Sequence, residues 1–466
     1  MRPGIDLAGK RVSVVGLART GVVAALFSAG YGATVTATDE RPESELHETA
    51  AKLRAAGVKL ELGGHHAESF LDQDLIVVSP GVPAKLPGLE LARARGIPVW
   101  SEIELAWRFL RGKLIAITGS NGKTTTTSLA AHILQTAAIP TLIGGNIGTP
   151  LLALVENSMD TTVTVAEISS FQLETIEKFR PEIGVLLNLT PDHLDRHASF
   201  DEYAQAKMRM FENQLERDIA ILNADDPEIT KRMPAKPHIF WFSRQKRVAA
   251  GAFLRDEQIF FRNEGSEVAL ARRDEISLRG EHNVENVLAA CAASYLAGAD
   301  PAAIANGIKT FKGVEHRLEF VAEVSGVQFY NDSKATNVDA AVKAIEAFPG
   351  PLIVILGGKD KGSPYTPLRE LLHERARMAI LIGAAADKIA DDLGDAAPLT
   401  NAGTLDRAVH LAVQNAQPGD TVLLAPACAS FDQFENYEHR GRAFKELVAK
   451  LENQNQSAAG ASAQKG

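Results

Sequence analysis

The sequence predicts an α/β protein of three domains, each built on a mainly parallel sheet, and three observations carry that prediction. Short apolar, β-branched runs alternate with alanine-rich amphipathic stretches along most of the chain, the pattern of strands joined by crossover helices. Strands that read apolar throughout fit sheets buried on both faces. Glycine-rich strand-to-helix junctions recur far apart, at Gly16, Gly119 and Gly357. A length of 466 residues fits about three domains.

Taken in order, residues 1–110 hold RVSVVG, ATVTATD and LIVVSPG and are expected to form a Rossmann-like domain. Residues 111–313 hold KLIAITG, TVTVAE, EIGVLLN and DIAILN and are expected to form a central ATPase-like domain. Within it, residues 241–279 change to short alternating runs (IFWFS, GAFLR, IFFR, EVAL), which predict a small antiparallel part. Residues 314–452, with PLIVILGG, MAILIG and DTVLLAP, are expected to form a second Rossmann-like domain. The polar, low-complexity residues 453–466 predict a disordered tail.

Bulk chemistry narrows the function. A net charge of -9 without a long basic run argues against nucleic acid as a partner. Two cysteines, Cys291 and Cys428, make no disulfide framework and suit a reducing compartment. The N-terminus lacks the features of a secretory signal, and no apolar run reaches the ~18 residues of a membrane helix. A soluble, cytoplasmic protein without a membrane partner is expected.

The strongest motif is GSNGKTT, residues 119–125, with an apolar strand before it and an alanine-rich helix after it. Gly119 and Gly122 let backbone N–H groups of Ser120 and Asn121 turn toward phosphate oxygens, and the helix N-terminus adds partial positive charge. Lys123 can reach the β and γ phosphates, and the hydroxyl of Thr124, with Thr125 beside it, can ligate Mg²⁺. The loop is two residues shorter than the common P-loop pattern. A glycine-rich turn without a ligand is the bland alternative.

Gly16-Leu17-Ala18-Arg19-Thr20-Gly21 follows a strand and opens a helix, and Asp39 ends the next strand. The pattern resembles a dinucleotide fingerprint with Ala18 in place of the middle glycine, which allows a pyrophosphate to approach closely. A dinucleotide, another nucleotide and a merely tight turn all stay open. The strand ending at Ser79-Pro80-Gly81 would meet the same sheet edge, where such sheets bind ligands.

Glu167 ends the strand TVTVAE, so its carboxylate is placed to ligate Mg²⁺ or its waters beside the phosphate loop. His193 and His197 cluster with Asp192 and Asp195 after EIGVLLN, although Mg²⁺ prefers oxygen and a histidine ligand would be unusual. Lys207 lies in Tyr203-Ala204-Gln205-Ala206-Lys207 on an expected helix, and by itself reads as a solvated lysine.

At this point the motifs resemble the Mur ligases of peptidoglycan synthesis. GSNGKTT, EISSFQLE, NLTPDHLDRH, the Tyr-x-x-x-Lys helix, GEHNVEN (280–286), HRLE (316–319) and NDSKATN (331–337) occur in that order and spacing. The chain is most similar to the members that add D-glutamate, through NDSKATN, ACASFDQFENY (427–437) and the compact first domain. The resemblance implies an ATP-dependent ligase of cell-wall precursor synthesis that joins D-glutamate to UDP-N-acetylmuramoyl-L-alanine through an acyl phosphate. It assigns Leu17, Thr20, Asp39, Arg41, Gly81 and Asn146 to the UDP substrate. ATP would be held by the phosphate loop with Asn283, Asn286, Arg317, Asp332 and Lys334. Thr336, Lys361, Ser430 and Tyr437 would hold D-glutamate. Two Mg²⁺ ions are expected, on Thr124 and Glu167 and on His193 and a carbamylated Lys207 (N6-carboxylysine), with Lys123, Glu167, His193 and Lys207 as the catalytic set. A monomer acting on small molecules is expected. The alternatives are another Mur ligase or a folylpolyglutamate synthase with the same chemistry, a nucleotide-regulated binding protein, and an NAD oxidoreductase using Gly16 to Gly21.

Overall fold

The computed structural model describes residues 2, 4–66, 68–193, 196–278 and 280–463. Asp195, counted above in the acidic cluster, and Arg279, which closed the alternating stretch, lie outside them. The described residues form three sheets, each mainly parallel.

The first sheet contains β1–β5: Arg11–Val15, Thr34–Asp39, Lys59–Leu62, Leu75–Val78 and Val99–Ser101. All are parallel, in the order β3-β2-β1-β4-β5. The order reverses between β1 and β4, so the turns after these two strands meet at a topological switch point. Gly16 shows how closely: its φ is 88°, and a Cβ there would lie 2.6 Å from Val82 Cγ2.

The second sheet contains β6–β14: Lys113–Thr118, Thr141–Gly145, Val163–Glu167, Ile183–Leu186, Ile219–Asn223, His238–Ser243, Gly251–Arg255, Gln258–Asn263 and Ser266–Arg272. Their order is β14-β13-β12-β11-β10-β9-β6-β8-β7. The phosphate-loop strand β6 is central, between β8 and β9, and every turn leaving these three strands emerges at one edge. The antiparallel part is narrower than expected. The IFWFS run forms β11, which pairs parallel to both β10 and β12, and only β12–β14 run antiparallel. Alternating polarity reported one-sided burial there, which does not reveal strand direction.

The third sheet contains β15–β20: Glu319–Val324, Val327–Asn331, Leu352–Gly357, Ala376–Ile382, Leu399–Gly403 and Thr421–Leu424. The order is β15-β16-β20-β17-β18-β19, with β15 antiparallel to β16 and the others parallel. The carboxyl ends of β16, β20 and β17 are neighbours, which collects the segments after Asn331, Leu424 and Gly357. The final helix, Tyr437–Ala463, continues into the tail expected to be disordered. Its alanine, glutamine and glutamate content is compatible with helix.

By compactness the chain forms two units. One comprises Met1–Leu189, Ala198–Ile276 and Glu285–Phe311; the other comprises Thr190–His197, Ser277–Val284 and Lys312–Gly466. The first unit therefore holds two sheets, and one apolar core runs through both, from Val12, Val14 and Val77 through Trp107 to Leu114 and Leu186. Two buried carboxylates reinforce it. Glu104 accepts the backbone N–H groups of Glu177, Lys178 and Phe179 at 2.6–2.9 Å. Glu102 accepts the Leu152 N–H at 2.6 Å, while its second oxygen has no hydrogen-bond partner.

Burial raises the Glu102 carboxyl to about 7 against the pull of the Leu152 and Leu151 N–H groups. The unfolded chain ionises near 4.5, so the native state is favoured below that value and loses stability as pH rises toward 7. The loss is on the order of 3 kcal/mol. Glu102→Gln keeps an acceptor for the amides and removes the titration. Urea denaturation at pH 5 and pH 8 should show the variant losing markedly less stability than the parent between the two.

Candidate functional site

The phosphate loop is built as its residue types require. Gly122, at the helix N-cap with φ 83°, occupies the left-handed region, and a Cβ there would lie 2.1 Å from Asn286 Oδ1. The helix Lys123–Thr136 begins directly after it, so its unsatisfied N–H groups face the loop. Lys123 Nζ donates to the carbonyls of Gly119 at 2.8 Å and Ser120 at 2.7 Å, which folds it across the loop mouth. Thr125 is buried behind it. On the neighbouring helix, Asn286 Oδ1 also accepts from the Thr126 hydroxyl at 3.3 Å.

Glu167 is 2% exposed and sits beside this loop. Its two oxygens are divided between the Thr124 hydroxyl and the Asn146 side-chain amide, each at 2.7 Å. Hydroxyl and carboxylate oxygens converging within a hydrogen-bond length are the hard donor set that Mg²⁺ accepts. Asn146 N–H also donates to Glu167 O, which fastens the 144–148 loop to the end of β8.

Two further residues, not singled out from the sequence, brace the loop. Asn188 Oδ1 accepts the Asn121 N–H at 2.8 Å while its amide donates to Asn121 O at 3.1 Å. Tyr203 OH donates to Ser120 Oγ at 3.0 Å. The spacing of Tyr203 and Lys207 was the available signal, because positions four apart share a helix face. Lys207 is itself only 2% exposed, with Nζ 4.6 Å from the centre of the Tyr203 ring. That overturns the solvated-lysine reading from its local sequence: a buried amine on this face is a built feature.

At the first-sheet switch point, Asp39 Oδ2 accepts the Leu17 N–H at 2.6 Å, and both oxygens take the Arg41 guanidinium at 2.9 Å. Burial works to raise this carboxyl, but the Arg41 side chain and the Leu17 and Arg41 N–H groups outweigh it and hold it near 2. The carboxylate is thus a permanent anion that shapes the turn and presents Arg41. Thr20 is half-buried in the first turn of Arg19–Gly30, and Gly81 is exposed on the facing loop.

The second unit gathers another set. His193 adopts φ 54°, its N–H donates to Asp192 Oδ1 at 2.9 Å, and Asn337 Nδ2 donates to Asp192 Oδ2 at 3.0 Å. Asp192 is therefore committed to holding the turn. Asn283 is buried, with its N–H on Gly280 O. Asp332 is fully buried; burial raises its carboxyl to about 6, opposed by the charges of Arg317 and Lys334 and the Leu318 N–H. Its Oδ1 and the Arg317 Nε are both buried without hydrogen-bond partners. Such orphaned atoms are costly unless a ligand or water satisfies them. Lys334 Nζ donates to Tyr437 OH at 3.2 Å. Ser333 Oγ donates to Tyr437 O at 2.8 Å and accepts from Arg440 Nε at 2.9 Å. Ser430 is buried, and Thr336 and Lys361 are half-buried, on the segments following β20, β16 and β17.

The structure thus brings together Lys123, Thr124, Glu167 and Asn146, with Asn286 behind the loop. It separately brings together Arg317, Asp332, Lys334 and Tyr437. His193 belongs to the second compact unit, whereas Lys207 belongs to the first. Among the described residues no helix is long and apolar enough to cross a membrane.

Comparison with known proteins identifies the family. Residues 10–101 match the Mur ligase MurD-like N-terminal domain, 117–294 the Mur ligase middle domain, and 316–428 the Mur ligase glutamate ligase domain. A UDP-N-acetylmuramoylalanine--D-glutamate ligase of Koribacter versatilis is 55% identical over 97% of this chain and 99% of its own length. One of Solibacter usitatus is 53% identical over 96% and 99%. Among solved structures, a pseudomurein peptide ligase type C from Methanothermus fervidus superposes with a TM-score of 0.61 at 21% identity, covering 95% of this chain and all of its own. The UDP-N-acetylmuramate-alanine ligase MurC of Thermotoga maritima gives 0.59 at 20%, covering 95% and 99%. With three domain models matched in order and near-full-length relatives above half identity, the chain belongs to the Mur ligase family.

Proposed function

We propose that this chain joins D-glutamate to UDP-N-acetylmuramoyl-L-alanine at the expense of ATP. The observation that carries this reading is 55% identity, over nearly the whole of both chains, to a ligase named for that reaction. The phosphate loop with its buried Thr124 and Glu167 supports the ATP half. The same reading makes the protein a cytoplasmic monomer acting on small molecules.

In this reading Leu17, Thr20, Asp39, Arg41 and Gly81 hold the UDP end, with Asn146 at the diphosphate. ATP lies over Gly119 to Thr125, with Asn283, Asn286, Arg317, Asp332 and Lys334 around the rest of the nucleotide. A basic side chain and inward N–H groups are the groups that stabilise a transferring phosphoryl. The substrate carboxylate attacks the γ-phosphorus in line, the bond to the β-bridging oxygen breaks, and ADP leaves. Lys123 moves from the loop carbonyls to the phosphate oxygens as charge builds there. The amine of D-glutamate, held by Thr336, Lys361, Ser430 and Tyr437, then attacks the acyl carbon. The tetrahedral intermediate expels phosphate, leaving the amide.

Thr124 and Glu167 would hold one Mg²⁺, whose chemistry is to neutralise phosphate charge. A second ion would take His193 and Lys207 if Lys207 is carbamylated, since addition of CO₂ turns a neutral amine into an oxygen donor. Burial of Lys207 against Tyr203, away from bulk water, supports this.

Phosphate release from ATP with UDP-N-acetylmuramoyl-L-alanine should depend on D-glutamate and not appear with L-glutamate. Release with another amino acid only would keep the ligase chemistry and remove this specificity. Lys123→Ala should lose most turnover, by about a hundredfold or more, while calorimetry still detects binding of the UDP substrate. Turnover in CO₂-depleted buffer should fall and recover on addition of bicarbonate. Indifference to bicarbonate would remove the carbamate.

A further inference from the structure

The proposed amino-acid site draws on two segments of the second unit that are distant in sequence. Residues 359–361 follow β17 and carry Lys361; residues 427–430 follow β20 and carry Ser430. Both are excursions from the sheet edge, and something must hold them at a fixed separation if one small ligand is to touch both.

One link is backbone. Lys359 N–H donates to Ala429 O at 2.8 Å, and Ala429 N–H donates to Lys359 O at 3.1 Å. The other link is a chain of side chains. Tyr365 OH lies 2.8 Å from Asp360 Oδ1 and 2.9 Å from Cys428 Sγ. The phenol has a single proton, and the carboxylate can only accept. Tyr365 therefore donates to Asp360, and the Cys428 S–H donates to the phenol oxygen. This order requires a protonated thiol and an ionised carboxylate. Burial pushes the thiol up to about 11. The Asp360 carboxyl is held below its usual range: burial opposes this, but Lys388, Tyr365 and the Gly362 N–H prevail. Lys388 Nζ completes the chain with 2.8 Å to Asp360 Oδ2 and 3.2 Å to Ser363 O.

The anchor itself is rigid. The Tyr365 side chain is 1% exposed within the core, beside Leu368 and Leu372, and its N–H donates to Asp392 at 2.8 Å. Asp360, between two lysines, is the residue of the 359–361 run that the anchor grips. Holding it fixes the backbone from which Lys361 projects.

We propose that the Tyr365 hydroxyl is a positioning group for the amino-acid substrate, setting the Lys361 segment against the Ser430 segment through Asp360 and Cys428. It does not touch the substrate, and its effect falls on capture of the acidic amino acid. The proposal rests on the reading that Lys361 and Ser430 hold that amino acid.

Tyr365→Phe keeps the packed ring and removes the hydroxyl. Its KM for D-glutamate should rise about tenfold, the scale of one lost hydrogen bond, with kcat and the KM values for ATP and the UDP substrate nearly unchanged. An unchanged KM for D-glutamate, or an equal rise in all three KM values, would overturn the proposal. Should the variant melt more than about 5 °C below the parent, Cys428→Ala and Cys428→Ser are read instead. Loss of the donor in the alanine variant should raise the same KM, and the serine hydroxyl should restore it; two unchanged values overturn the idea. The parent protein is assayed alongside with a panel of amino acids. If it uses one other than D-glutamate, the KM split is read with that acid, so the substrate assignment and the positioning role fail separately.

Discussion

The buried Glu167 carboxylate is the constraint on which the phosphate-loop part of the molecule depends. It closes β8 at the point where the phosphate loop leaves β6, and its two oxygens are divided between Thr124 and Asn146. A carboxylate this deep is tolerated only when its acceptors are filled. Here the filling groups are the first helical hydroxyl of the phosphate loop and the loop after β7. One side chain therefore aligns three segments that are far apart in sequence. The same oxygens are the ones a divalent cation would take.

Around that centre the first unit is stiffened by polar groups inside an apolar core. Two sheets share one hydrophobic cluster, and Glu104 spends one carboxylate oxygen on three successive N–H groups across it. This locks the Rossmann-like part, with its Asp39–Arg41 pair, to the phosphate-binding part. Exposed connections could not do this, since surface ion pairs are worth little.

The second unit follows a different rule. Its side chains are collected by the strand order β16-β20-β17, which brings the ends of three non-consecutive strands together. Buried charges there are left partly unmet, as at Asp332 and Arg317. Such unpaired buried atoms are uncommon in native proteins, and the first unit carries them too, as at Glu102. Glu167 has both oxygens hydrogen-bonded, whereas Asp332 keeps one oxygen without a partner.

Much of this was legible in the sequence because it is local. Apolar runs between helical patterns report parallel sheets, and GSNGKTT reports a phosphate loop, since glycine placement and strand-to-helix context are properties of consecutive residues. The alternating polarity of 241–279 marks a change of pattern, yet alternation records which faces are buried and says nothing of direction, so β11 shares that pattern while pairing parallel to both its neighbours. Lys207 read locally as a solvated lysine, and its burial appears only when its helix face packs against the rest of the unit. Asn188 and Tyr203 brace the loop across 67 and 83 residues of sequence. The Tyr365 chain joins segments separated by 63. Sequence alone determined the secondary-structure alternation, the phosphate loop and the family resemblance, because each is written in short-range pattern. Only the tertiary structure decided which polar atoms are satisfied, which are left waiting and which loops are tied together, because those depend on contacts that form when distant strands take their places in a sheet.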